Sequence, residues 1–136
     1  MRIFIIFIFL SMIPFSTAVF GADEIDKCAS SVDHATMRKC LEDAAKSAND
    51  ELTSTENKLI ASLKGWDQDK IWQDKAIERL KGASSEFRKY QKQQCDFEAS
   101  TAAGGNAAGD LRADCIYRLA KERSKRLLEQ EKNLKD

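Results

Sequence analysis

The chain has 136 residues, 22 basic and 22 acidic side chains, one histidine, one proline and a mean hydropathy of −0.48. Balanced charge without a basic block gives no support for a nucleic-acid or membrane-surface partner. One histidine, His34, falls short of a usual histidine-based metal site, and four cysteines spaced C-x11-C and C-x19-C match neither a zinc ribbon nor a C-x-x-C redox pair.

Met1-Arg2 is a short positive start, and Ile3 to Ile13 is almost wholly apolar. Pro14, Ser16, Thr17 and Ala18 follow, then Val19, Phe20, Gly21 and Ala22. This reads as a secretory signal peptide over residues 1–21, cleaved near 18–22, because the apolar run is too short and wrongly flanked to span a bilayer. Cleavage after Ala18 and after Gly21 both satisfy the small-residue rule. The remainder, 22–136, is about 115 residues, which suits one domain. Without Arg2 it is one charge short of neutral. It has no apolar run long enough to cross a membrane, so a periplasmic or secreted protein is expected. In that compartment four cysteines read as two disulfides.

Residues 23–35 are polar and irregular, and Asp33, His34 or Thr36 is each fit to start a helix. Cys28 and Cys40 would lie about 18 Å apart in one helix. If they pair, residues 28–35 must fold back over the first turns of the first long helix. From Thr36, Met37, Leu41, Ala44, Ala45, Ala48, Leu52, Leu59 and Leu63 recur in steps of three, four and seven, the mark of one helical face. Thr53-Ser54-Thr55 weakens its middle, where a kink is expected. Gly65 ends the helix, and Asp67 is placed to cap the next.

The second helix is expected from about Gln68 to Thr101. Its apolar stripe is Ile71/Trp72, Ala76, Ile77, Leu80, Ala83/Ser84, Phe87, Tyr90, Gln94 and Phe97, so Phe87, Tyr90 and Phe97 read as core. Gly82 sits inside the stripe, where a close neighbouring helix would explain it. Asp67, Asp69, Asp74 and Glu78, interleaved with Lys70, Lys75 and Arg79, read as a solvated face or as a patch for a basic partner. Gly104, Gly105 and Gly109 then mark a tight reversal.

The third helix is expected to start at the cap Asp110 and to carry Leu111, Cys115, Ile116, Leu119, Ala120, Arg123, Leu127 and Leu134. Cys95 and Cys115 fall roughly 12 Å and 9 Å from the reversal, at similar heights on adjacent antiparallel helices, where a disulfide closes. No stretch alternates with period two. The expected fold is all-α, an antiparallel three-helix bundle or hairpin stapled by two disulfides, with all four cysteines at one end. Arg123, on the apolar stripe, calls for an ion pair with Glu98 or Glu86, a hydrogen bond to Tyr90, or an escape of its guanidinium off the edge of the face.

These residues carry a resemblance. Phe87, Tyr90, Gln91 and Cys95, then Asp96-Phe97-Glu98-Ala99, Gly104-Gly105 and Cys115, then Leu119-Ala120, Arg123 and Leu127, keep the spacing of the LprI-like lysozyme inhibitor family. Cys28 and Cys40 resemble its earlier cysteine pair, and Ala48-Asn49 with Leu52-Thr53 its Ala-Asp-x-x-Leu-Asn motif. Phe87 replaces the usual Trp, Gln91 the usual Arg and Ala120 the usual Thr. The resemblance implies pairs Cys28–Cys40 and Cys95–Cys115, no cofactor, and an interaction protein rather than an enzyme, with lysozyme as the protein partner. A second reading keeps the binding role but takes another periplasmic partner, as an immunity or envelope-assembly protein. A hydrolase would need a nucleophile and base that the chain does not place. The pinned turn with Gly104, Gly105 and Asn106 is the candidate contact surface, and Tyr90, Glu98 and Arg123 are the candidate structural polar residues. A narrow apolar stripe on three long helices also makes a homodimer plausible.

Overall fold

The computed structural model describes residues 24–135, and the expected signal peptide lies outside them. The described residues form α1 (Glu24–Cys28), α2 (His34–Lys64), α3 (Lys70–Ser100) and α4 (Ala107–Asn133), with no strand among them. The long helices rise, fall and rise, as expected. Residues 24–35 are less irregular than the sequence implied: α1 is a short helix folded back on α2 and held by Cys28–Cys40, with Cα atoms 5.6 Å apart.

Asp33 starts α2. Its side chain accepts from the Thr36 backbone N–H at 2.9 Å and from the Thr36 hydroxyl at 2.8 Å, so one unpaired amide of the first turn is satisfied. Those two bonds hold the Asp33 carboxyl below its ordinary 3.8. Helical structure runs through Thr53-Ser54-Thr55 without a break, and the Thr53 hydroxyl bonds back to the Asn49 carbonyl at 2.9 Å. Gly65 closes the helix. The start of α3 differs from expectation: Asp69, not Asp67, is the cap residue, and its side chain makes no capping bond. The start of α4 differs too. It begins at Ala107 after Asn106, three residues before the expected cap, and Asp110 lies inside the first turn.

The α2 stripe is buried as read: Leu41, Ala44, Ala45, Ala48, Leu52, Leu59 and Leu63 all face inward. Across from it, α4 buries Ala113, Tyr117, Ala120, Ser124 and Leu127. Small side chains on both sides let the α2 and α4 backbones approach, and these parallel helices form the most extensive contact of the fold. Their register is marked by Arg38–Asp110, Glu51–Lys121 and Ser62–Glu131 contacts along their length. Helix α3 packs mainly on α4 and touches α2 little.

Three expectations fail for that reason. Tyr90 and Phe97 are 52% and 63% exposed, so they are not core residues; Phe87 is half-buried. Tyr117, absent from the expected α4 stripe, is 1% exposed, because α4 faces both α2 and α3 and buries an arc wider than one stripe. Gly82 is exposed, and a Cβ there would meet nothing within 4 Å, so no neighbouring helix requires it.

Candidate functional site

The turn between α3 and α4 is built as the glycines require. Ala103 and Gly104 both have positive φ, +49° and +78°, a backbone that glycine adopts without strain. A Cβ at Gly105 would come within 3.1 Å of the Ala102 carbonyl oxygen. Gly104, Gly105 and Asn106 are all exposed. The turn is tied from two sides. Cys95–Cys115 joins its flanking helices with Cα atoms 5.4 Å apart, and the Arg38 guanidinium of α2 donates to the Asn106 carbonyl. Arg38 also donates to Asp110 at 3.1 Å, and His34 contacts the other Asp110 oxygen at 2.7 Å. An ionised carboxylate only accepts, so His34 Nε2 carries the hydrogen in that bond. Burial by itself would raise the Asp110 carboxyl, but the bonds from His34 and Arg38 outweigh it and hold the group below 3.8. Nearby, Lys92, with Arg112 behind it, holds Asp96 low in the same way. This end of the bundle is therefore closed by two disulfides and a charge cluster.

Halfway along the bundle the three long helices share a polar cluster. Glu56 of α2 receives Arg88 of α3 at 3.1 Å on one oxygen and faces Arg123 Nε of α4 at 3.6 Å on the other. The second contact is longer than a hydrogen bond, and both facing atoms lack any other partner. Arg123 also reaches the Ser84 hydroxyl at 3.4 Å and lies 4.8 Å over the Phe87 ring. Arg123 thus has a part-buried polar role, but its partner is Glu56, not Glu98, Glu86 or Tyr90. The reason is register: α4 runs parallel to α2, and Arg123 sits where it faces both neighbouring helices. Glu98 instead accepts from Arg118 at 3.4 Å and from Gln94 at 3.0 Å. Tyr90 makes no polar contact with Arg123; both line a shallow hollow with Phe87, Leu119, Glu122 and Arg126.

Gln91 stands one turn from Arg88 and is 6% exposed. Its amide donates to Asn49 Oδ1 and to the Ile116 carbonyl, both at 3.1 Å, and so joins all three long helices. Arg88 adds bonds to Asn49 Oδ1 at 3.3 Å and the Thr53 hydroxyl at 3.1 Å. Sequence reading missed Glu56 and Arg88, and named Asn49 only as part of the family motif. The available signal was polar side chains adjoining the apolar stripes of two helices at matching heights, which needs the register to be read. The cluster ties helices together.

The acidic run at the start of α3 is exposed; of Asp67, Asp69, Asp74 and Glu78 only Asp74 forms an ion pair with a described residue, Lys70, and Lys75 lies 5.1 Å over the Trp72 ring. Among the described residues no cluster of metal-ligating side chains forms, and no helix is long and apolar enough to cross a membrane.

A disulfide-stapled all-α scaffold, with a polar interior that locks its helices and a pinned, exposed turn, defines the class. The chain belongs to the family described as lysozyme inhibitor LprI, whose model matches residues 26–127. That span contains both disulfides, the Glu56 cluster and the turn. No curated protein and no solved structure matches the chain.

Proposed function

We propose that this protein binds a lysozyme outside the cytoplasm and blocks peptidoglycan cleavage by covering its cleft. Membership of the lysozyme inhibitor family over residues 26–127 carries this reading. Two of the three departures from the family pattern lie inside the bundle, while Phe87 is half-buried at its edge. Gln91 and Ala120 are 6% and 0% exposed, so they alter packing between helices and leave the accessible surface unchanged.

The contact surface in this reading is the turn at Gly104, Gly105 and Asn106. It is exposed, small enough to enter a cleft, and held by Cys95–Cys115, so it loses little entropy on binding. The Asn106 side chain is free to donate toward the paired carboxylates of a muramidase.

A lysis assay with oxidised protein tests the reading, with animal and bacterial muramidases in turn. Dose-dependent inhibition is expected. Inhibition lost on reduction, and weakened by Asn106→Ala with unchanged thermal stability, places the contact at the turn. Inhibition that survives both moves it to the helix faces. No inhibition at micromolar protein refutes the lysozyme reading and redirects the search to another periplasmic partner by pull-down.

A further inference from the structure

The end of the bundle opposite the disulfides holds a second feature, independent of the lysozyme reading. Where α3 parts from α2, the three long helices border an open groove of about 540 Å³. That volume lies within the usual range for small-molecule sites, roughly 300–1,000 Å³, which favour the space between bundle helices. Leu63 of α2, Leu80 of α3 and Leu127 of α4 form its walls. Ala76 and Ala83 stand on α3 where larger side chains would fill it.

Its polar groups converge on the rim. Arg79, Gln130 and Asn133 line the same hollow, together with Arg123, whose guanidinium is already held by Glu56. Every other arginine among the described residues holds a carboxylate: Arg38, Arg88, Arg112, Arg118, Arg123 and Arg126. Arg79 has no hydrogen bond, ion pair or ring contact with any described residue. The same guanidinium borders an adjoining recess of about 300 Å³ beneath Trp66 and Trp72. A guanidinium with a planar fork, unpaired beside a leucine-walled groove, suits an anionic head on a linear apolar tail, and a carboxylate is the smallest such head.

We propose that this hollow binds a single-chain anionic amphiphile of the fatty-acid class. The tail lies among the leucines and the carboxylate bridges Arg79, with the Gln130 and Asn133 amides beside it. Burial of the tail supplies most of the affinity, and the arginine selects for the anion.

The probe is a naturally fluorescent polyene fatty acid, titrated into purified oxidised protein and displaced by palmitate or by hexadecanol. Saturable binding at one site, with displacement by palmitate, is expected. Arg79→Gln should weaken palmitate by roughly tenfold, as loss of a charge-assisted hydrogen bond implies, and leave hexadecanol unchanged. Ala76→Phe should abolish both while keeping the helical spectrum and a cooperative thermal transition; if that variant fails to fold, Ala83→Met narrows the same hollow. Absence of saturable binding overturns the proposal, as does palmitate affinity indifferent to Arg79→Gln. Light scattering that shows a dimer dissolved by Ala76→Phe would assign the hollow to a second copy. Sedimentation with anionic vesicles without binding of the free acid would assign this end to a bilayer. Either result refutes the proposal.

Discussion

The two ends of the bundle are held by different forces. At the α3–α4 turn, two disulfides and the His34–Arg38–Asp110 cluster join all four helices. At the Gly65 end no covalent bond joins the helices, alanines on α3 leave a hollow, and Ile71 and Trp72 are 71% and 53% exposed. One end is closed by specific bonds and the other is filled only partly by apolar side chains. In a chain with many alanines and few large core residues, crosslinks at one end allow the other end to stay open. Local opening should therefore begin at the Gly65 end, and amide hydrogen exchange should be faster for residues 60–80 than for residues 92–116.

The comparison breaks most directly at the disulfide. Replacing Cys95 and Cys115 with serine opens a loop of about 20 residues and should cost about 3 kcal/mol by chain entropy. Denaturant unfolding would measure the loss, and exchange rates at the two ends should then converge. If the two rates stay apart, the charge cluster holds that end without help from the crosslink.

The middle cluster comes next. Arg123→Met leaves Glu56 with Arg88 as its remaining cationic partner and should cost about 2 kcal/mol. That is below the usual range for breaking a buried pair, because one guanidinium remains. An unchanged melting temperature would remove Arg123 from the interior bonding.

Two glycines give smaller effects of opposite sign. Gly104→Ala forces a side chain onto a φ of +78° and should destabilise by about 1 kcal/mol. Gly82→Ala meets nothing within 4 Å inside α3 and should stabilise by about 0.5–1 kcal/mol. Thermal melts of both variants decide whether strain or packing sets these positions.

The smallest effect is that of pH on the closed end. The folded Asp110 carboxyl lies below its ordinary 3.8, so its contribution is fully present above that value. It is lost as pH falls from about 3.8 through the lower folded value. Asp110→Asn should flatten the acid limb of a stability-versus-pH curve. A limb of equal slope in the variant would mean that other carboxylates, such as Asp33 and Asp96, carry the acid dependence.

The candidate turn was legible in most of its residues, since Gly104, Gly105 and two flanking cysteines are local signals, but Gly109, read as part of the reversal, lies in the first turn of α4. Helix starts were less so: Asp67 and Asp110 look like caps, yet α3 begins beside Asp69 and α4 three residues before Asp110. Asp110 was drawn from capping to the cross-helix contact with Arg38 and His34, which no local pattern contains. The hollow at the Gly65 end was not legible either. Leu63, Leu80 and Leu127 each read as ordinary core, and the unfilled space among them depends on how far α3 stands from α2.

The chain by itself determined the three long helices, the tight glycine turn and the Cys95–Cys115 staple. Apolar periodicity, glycine backbone freedom and the rise per residue act over short distances along one segment. Tertiary structure alone decided that Glu56 is the partner of Arg123, that Tyr117 is buried while Tyr90 and Phe97 are exposed, and that Arg79 is left without a carboxylate. Those outcomes depend on the rotation and separation of α2, α3 and α4. Those variables are set by the fit of small side chains between α2 and α4, and a single helix carries no record of them.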